Sequence, residues 1–191
     1  MKRADKTSID RSAWTDEQLA AEAAREGSDG PAFRAIMERY RQRVWRICFR
    51  LMSNEEDASD AAQEVFVRLF LHRAKFEGRS KYSTWVHGVA VRTCLTLRRG
   101  RGRRRKHENV QSTEQWEDSQ SGPPEAPAGL SLDLAKMLAA LDEEDRAMMI
   151  LKYAENYDYD ELAKIFELSP SACKMRLSRA REKLKQLFPD Q

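Results

Sequence analysis

The sequence predicts an all-α protein: two small helical domains joined by a flexible linker. Three observations carry this. No segment alternates apolar and polar residues as a half-buried strand does. Apolar residues recur instead at the i, i+3, i+4, i+7 spacing of helices in several separate stretches. Between those stretches, residues 108–131 hold Pro123, Pro124, Pro127 and Gly129 among Ser, Gln and Glu, with nothing that could bury a core. The expected organisation is a flexible N-terminus at 1–14, a helical domain at 15–107, a flexible acidic linker at 108–131 and a second helical domain at 132–191.

The elements follow in order. Thr15 and Gln18 form a capping box that opens a helix over 15–26, and the turn at 27–31 ends it and starts the next. Phe33, Ile36, Met37, Tyr40, Val44, Ile47, Cys48 and Leu51 form one apolar stripe on a long helix. A break at Ser53-Asn54 precedes a third helix over 55–72. Residues 76–83, with Gly78 and Ser80, read as a loop, and 84–97 as a helix running into an arginine cluster. In the second block Leu134, Met137, Leu138 and Leu141 make one stripe, and Met148, Met149, Leu151 and Tyr153 lie in the next helix.

Composition narrows the function. With 41% hydrophobic residues in 191, the chain can bury a core and is not wholly disordered. No stretch approaches the roughly 20 apolar residues of a membrane helix. Residues 1–14 are polar and do not form a secretory signal. Cys48, Cys94 and Cys173 are odd in number and widely spaced, which argues against disulfides and a cysteine zinc site. A reduced, cytoplasmic protein is expected. His72, His87 and His107 show no metal-ligand spacing, and there is no phosphate-binding glycine loop, so no catalytic residue, metal or cofactor is expected.

The net charge of +3 conceals strong segregation. Residues 98–106 hold seven bases in nine, while 108–131 hold five acids and no Lys or Arg. Residues 142–161 carry eight acids against two bases, and 174–185 six bases against one acid. Two basic runs on separate blocks suggest nucleic acid, the plainer reading being solvated faces. The acid clusters read as helix starts and solvated faces.

The C-terminal block carries the clearest motif. A short helix over 160–166 is followed by a tight turn, in which Ser169 can cap and Pro170 can open a helix over 171–187. At 100° per residue, Cys173, Leu177, Ala180, Leu184 and Leu187 fall on one face. Ser171, Met175, Ser178, Arg179 and Glu182 fall opposite; Lys174, Arg181 and Lys185 lie on one flank, Arg176 and Lys183 on the other. A helix-turn-helix recognition helix needs this division: an outer face for base edges and cationic flanks for phosphates.

Two features mark the N-terminal block. The helix over 55–72 turns Ala58, Ala61, Ala62, Val65 and Leu69 to one side and Asp60, Gln63, Glu64, Val67 and Leu71 to the other. Exposed aliphatics among polar groups suggest a protein-binding surface; burial on both sides is the alternative. Residues 76–85 combine a loop, aromatics and cations, a mixture suited to unstacked bases, although Tyr82 and Trp85 fit a core role equally well.

The segment Asp57-Ala-Ser-Asp-Ala-Ala-Gln-Glu-Val-Phe66 resembles the core-binding helix of bacterial sigma factors. Phe76-x-Gly-x-Ser-x-Tyr-x-Thr-Trp85 is similar to the promoter-melting segment of their extracytoplasmic-function (ECF) group, and Lys174-Met-Arg-Leu-Ser-Arg-Ala-Arg181 to that group's recognition helix. The resemblance to this subfamily of the sigma-70 family implies that the first domain is sigma region 2 and the second is the helix-turn-helix region 4. It implies core RNA polymerase and promoter DNA as partners, and an anti-sigma factor as inhibitor. Asp57, Asp60, Gln63, Glu64, Val67 and Leu71 would bind core polymerase. Phe76, Gly78, Arg79, Ser80, Tyr82, Trp85, Arg92, Arg98 and Arg99 would bind the −10 element. Ser171, Lys174, Met175, Arg176, Ser178, Arg179 and Arg181 would bind the −35 element. Arg92 stands where the family usually has Asn. A stand-alone helix-turn-helix regulator and a sigma-like polymerase-binding adaptor are the alternative readings.

Overall fold

The computed structural model describes residue 11 and residues 13–26, 30–52, 54–111 and 132–189, with side chains described up to Arg101 and again from Asp133. All regular structure among the described residues is helical. The N-terminal block is α1 (Asp16–Arg25), α2 (Pro31–Leu51), α3 (Glu55–Leu71) and α4 (Tyr82–Gln111), with one 3-10 turn, Arg73–Lys75, after α3. The C-terminal block is α5 (Leu132–Ala139), α6 (Glu143–Tyr153), α7 (Tyr159–Phe166) and α8 (Pro170–Leu187).

Local chemistry sets the ends. Thr15 and Gln18 complete the expected capping box on α1. Asn54, Asp142 and Ser169 each accept a backbone N–H at the start of α3, α6 and α8, and Asp158 with Glu161 boxes α7. Glu167 closes α7 in the left-handed region at φ 58°, where Leu168 N donates to Ala163 O at 2.9 Å. Residues 167–169 are thus the whole turn between α7 and α8, with Pro170 at the first position of α8.

In the N-terminal block α2 packs against α1, α3 and α4, and α3 against α4. Ala58, Ala61 and Ala62 face the core from α3, so small side chains let its neighbours approach closely. Ile36, Val44, Ile47, Val65, Leu69, Val86 and Ala90 fill the centre. Arg73 ties α1 to the end of α3, donating to Ala23 O at 3.1 Å and Phe70 O at 2.8 Å. In the C-terminal block the buried Arg146 donates to Leu138 O at 2.8 Å, Leu141 O at 3.1 Å and Ala139 O at 3.2 Å, tying together the carbonyls where α5 ends.

The structure corrects several sequence expectations. Arg11 and Trp14, assigned to a flexible terminus, are packed: the Arg11 guanidinium lies 5.4 Å over the Trp14 ring, and Arg39 donates to Trp14 O at 3.0 Å. The loop expected over 76–83 ends at residue 81, because α4 starts at Tyr82. Helix α4 continues through the arginine run to Gln111, past the expected linker start at 108. The linker over 112–131 lies outside the described residues, as do residues 1–10. Met37, Leu134 and Leu187, assigned to apolar faces, are exposed.

The two blocks touch. Helix α7 packs on α4, α6 contacts α2 and α4, and one cluster of buried apolar residues runs through both blocks. At this seam the Tyr157 hydroxyl and His87 Nδ1 share a 2.8 Å hydrogen bond, and the Arg43 guanidinium lies 5.3 Å over the Tyr157 ring. Burial, aided by the Arg43 charge, lowers the His87 pKa to about 4. The unfolded chain therefore takes up this proton first, near pH 6.5, so the stability present above that pH is lost as pH falls toward 4. Between pH 7.5 and 5 the wild type should lose about 2 kcal/mol more unfolding free energy than His87→Asn, read from urea titrations at each pH.

Candidate nucleic-acid interface

Helix α8 is held by its inner face and one flank. Cys173, Leu177, Ala180 and Leu184 are buried, and burial raises the Cys173 thiol pKa. Ser171, Lys174, Met175, Ser178, Arg179 and Arg181 are exposed as expected, Met175 at 63%. Arg176 differs. It donates to Glu144 Oε2 at 2.9 Å and to Asp145 Oδ1, and lies 3.5 Å from Asp142. The resemblance gives it a −35 contact; here it fastens α8 to the first turn of α6. Glu144 is held below the ordinary carboxylate range by the guanidiniums of Arg99 and Arg176.

The loop after the 3-10 turn folds around aromatics. Phe76 sits edge-on to Tyr82 at 4.9 Å and 5.9 Å from Trp85. Tyr82, for which base stacking and a core role stood equal, is only 1% exposed and belongs to the core, because helix α4 begins there and turns it inward. Burial raises its hydroxyl pKa. Phe76 and Trp85 are half-buried and border an open pocket of about 210 Å³, together with Arg79, Ser80 and Arg92. Gly78 takes φ +71°, a left-handed turn that suits glycine. Arg79 is exposed and pairs with Glu77 at 2.7 Å.

On α3, Asp60, Gln63, Val67 and Leu71 are exposed, the two aliphatics at 51% and 65%. Glu64 bonds Arg68 at 2.6 Å along the helix. Asp57 turns aside, bonded to Asn54 and ion-paired with Arg101. Beside this face lies a groove of about 470 Å³ between α2 and α3, bordered by Met37, Trp45, Gln63 and Phe66. The sequence reading missed Trp45, which stacks on Phe49 at 4.8 Å with 39% of its surface open. An aromatic at an outward helix position was the available signal.

Residues 36–104 match the family Sigma-70 region 2, and residues 131–184 match Sigma-70, region 4. The chain is 27% identical over 173 residues to the ECF RNA polymerase sigma factor SigW of Bacillus subtilis (strain 168), covering 85% of this chain and 91% of that one. The chain belongs to the ECF group of the sigma-70 family. It is likewise 27% identical over 176 residues to the ECF RNA polymerase sigma-E factor of Escherichia coli (strain K12), covering 87% of this chain and 91% of the other. A solved structure of the sigma factor RpoE in complex with the anti-sigma factor NepR from Bartonella quintana shares the fold, with TM-score 0.59 and 24% identity over 83% of this chain and 97% of that one.

The predicted −10 arginines of region 2 are engaged by region 4. Arg98 donates to Glu143 at 2.6 and 3.2 Å and to Leu51 O at 2.9 Å. Arg99 donates to Glu144 at 2.5 Å. Arg92 donates to Ile165 O at 3.2 Å and Glu167 at 3.4 Å. The acids of 142–145, read as helix starts and solvated faces, do cap and start α6, and Glu143 and Glu144 also bind Arg98 and Arg99. The roles of Arg176 and Arg179 separate by experiment. Arg176→Ala should cost about 1–2 kcal/mol of unfolding free energy and Arg179→Ala less than about 0.5, measured by chemical denaturation.

Proposed function

We propose that this sigma factor binds core RNA polymerase through the outer face of α3 and directs initiation by reading promoter DNA with both blocks. What carries the reading is one chain holding regions 2 and 4 in order, with the α3 and α8 outer faces both open. Asp60, Gln63 and Glu64 supply polar contacts to polymerase, and Val67 and Leu71 the apolar ones. The aromatic-lined pocket beside Phe76 and Trp85 takes a base extruded from the −10 element, with Arg79 and Ser80 at its rim. Arg92, Arg98 and Arg99 follow the adjoining phosphates. Met175, Ser178 and Arg179 face −35 base edges, while Lys174 and Arg181 hold phosphates.

The physics is additive weak binding. Alone, each block binds DNA mainly through phosphates, with steep salt dependence. Polymerase fixes the spacing of the blocks, so two modest contacts act as one bivalent contact. Extruding a base costs a few kcal/mol, which the pocket partly offsets. The chain performs no bond chemistry and works in the cytoplasm; no described helix is long and apolar enough to cross a membrane. An anti-sigma factor holds it inactive, a reading supported by the solved relative's complex with one.

Two variants test the division of labour. Asp60→Ala with Gln63→Ala should abolish co-elution with core polymerase while leaving the circular dichroism melt unchanged. Arg179→Ala should keep co-elution but lower initiation from −35-dependent promoters by about tenfold or more. Unchanged start sites with Arg179→Ala would favour a polymerase-binding adaptor. Unchanged co-elution with the α3 pair would favour a stand-alone regulator.

A further inference from the structure

We infer that Arg92 selects which base the −10 pocket accepts, favouring one with two adjacent hydrogen-bond acceptors: guanine at O6 and N7, or cytosine at O2 and N3. The inference rests on the proposed reading of the Phe76–Trp85 pocket as the site of an extruded base, and adds which base it takes.

The pocket joins apolar and polar recognition. Phe76 and Trp85, with ring centroids 5.9 Å apart, border a cavity of about 210 Å³. Stacking on such rings tolerates every base, because each has a π face. Discrimination therefore falls to the polar groups beside them. Trp85, Gly88 and Arg92 succeed one another at i, i+3 and i+7 on one face of α4, and all three line the pocket. Gly88 makes room for the guanidinium: a Cβ there would stand 3.2 Å from both Nη1 and Nη2 of Arg92. The other cations of the wall carry less information. Arg79 is exposed and held by Glu77 at 2.7 Å, and Lys75 and Lys164 are point charges without a fork.

The bonding of Arg92 leaves one edge for this task. Nη1 donates to Ile165 O at 3.2 Å and to Glu167 Oε1 at 3.4 Å, while Nε and Nη2 make no hydrogen bond among the described residues. Nη1 can serve an adjoining phosphate while the Nε–Nη2 edge meets a base. A guanidinium only donates, and two parallel N–H groups need two adjacent acceptors. Guanine and cytosine each present such a pair. Adenine sets its N6 amino group beside N7 and N1, and thymine sets N3–H between O2 and O4. Those edges give the fork one bond and turn a donor against its other N–H.

The test uses the full chain bound to core polymerase, with fluorescent single-stranded oligonucleotides carrying the −10 pattern found by mapping transcript starts. Each position is set in turn to A, C, G or T. At one position wild type should prefer guanine or cytosine over adenine and thymine by about tenfold. If guanine is the base, 7-deazaguanine, which lacks N7, should lose that preference; if cytosine is, guanine should bind no better than adenine. Arg92→Lys keeps the charge and removes the fork. It should bring the favoured base down to the level of the others while leaving the salt dependence of binding unchanged. Phe76→Leu should weaken all four bases alike. The inference is overturned if Arg92→Lys alters base preference at no position, or only where wild type favours adenine or thymine. If no oligonucleotide binds, or Phe76→Leu changes no affinity, the pocket takes no base; the proposed reading then fails, and the base choice fails with it.

Discussion

A guanidinium that leaves bulk water needs fixed acceptors, and Arg92, Arg98, Arg99 and Arg101 on α4 find theirs within the chain. Arg98 is nearly enclosed, yet meets a carboxylate and a backbone carbonyl. Its position follows from α4 itself. The helix buries Val86, Ala90 and Cys94 in the first block, and this fixes which way Arg92, Arg98 and Arg99 point. The orientation that makes a basic face for nucleic acid also presents that face to the acids of α6 and α7. Region 4 meets region 2 where the charges are complementary, and the seam is completed by the buried His87–Tyr157 hydrogen bond.

The same economy appears within region 4. Asp142, Glu144 and Asp145 occupy the first turn of α6 and its cap, where negative charge is favoured by the helix dipole. They also hold Arg176, which fixes α8 against α6. Arg179, one turn along, has no such role and is left to solvent. Neighbouring cations on one helix thus divide into a brace and a reader. The division is set by which side of α8 faces another element, not by residue type.

Much of this was legible in the sequence, where the governing interactions are local. Thr15 with Gln18, and Ser169 with Pro170, marked helix starts because capping acts over three residues. The 100° sorting of α8 placed Cys173, Leu177, Ala180 and Leu184 inside correctly. It failed for Leu187, one turn beyond Leu184 at the helix end. Met37 fell on the α2 stripe but borders the groove beside α3. Tyr82 looked like part of a loop because nothing local announces that α4 begins there. The pairing of Arg98 with Glu143 joins residues 45 apart, and no periodicity can register it. The segregated charge runs were the only trace: the sequence showed complementary surfaces without showing that they meet.

The central claim is that this chain confers promoter recognition on core RNA polymerase. The most direct measurement is transcription by purified core polymerase, with and without the chain, on sheared genomic DNA, followed by mapping of transcript starts. The account predicts discrete new starts that share one −10 and one −35 pattern, and their loss with Arg179→Ala. A stable complex with core polymerase that yields no new starts would contradict it.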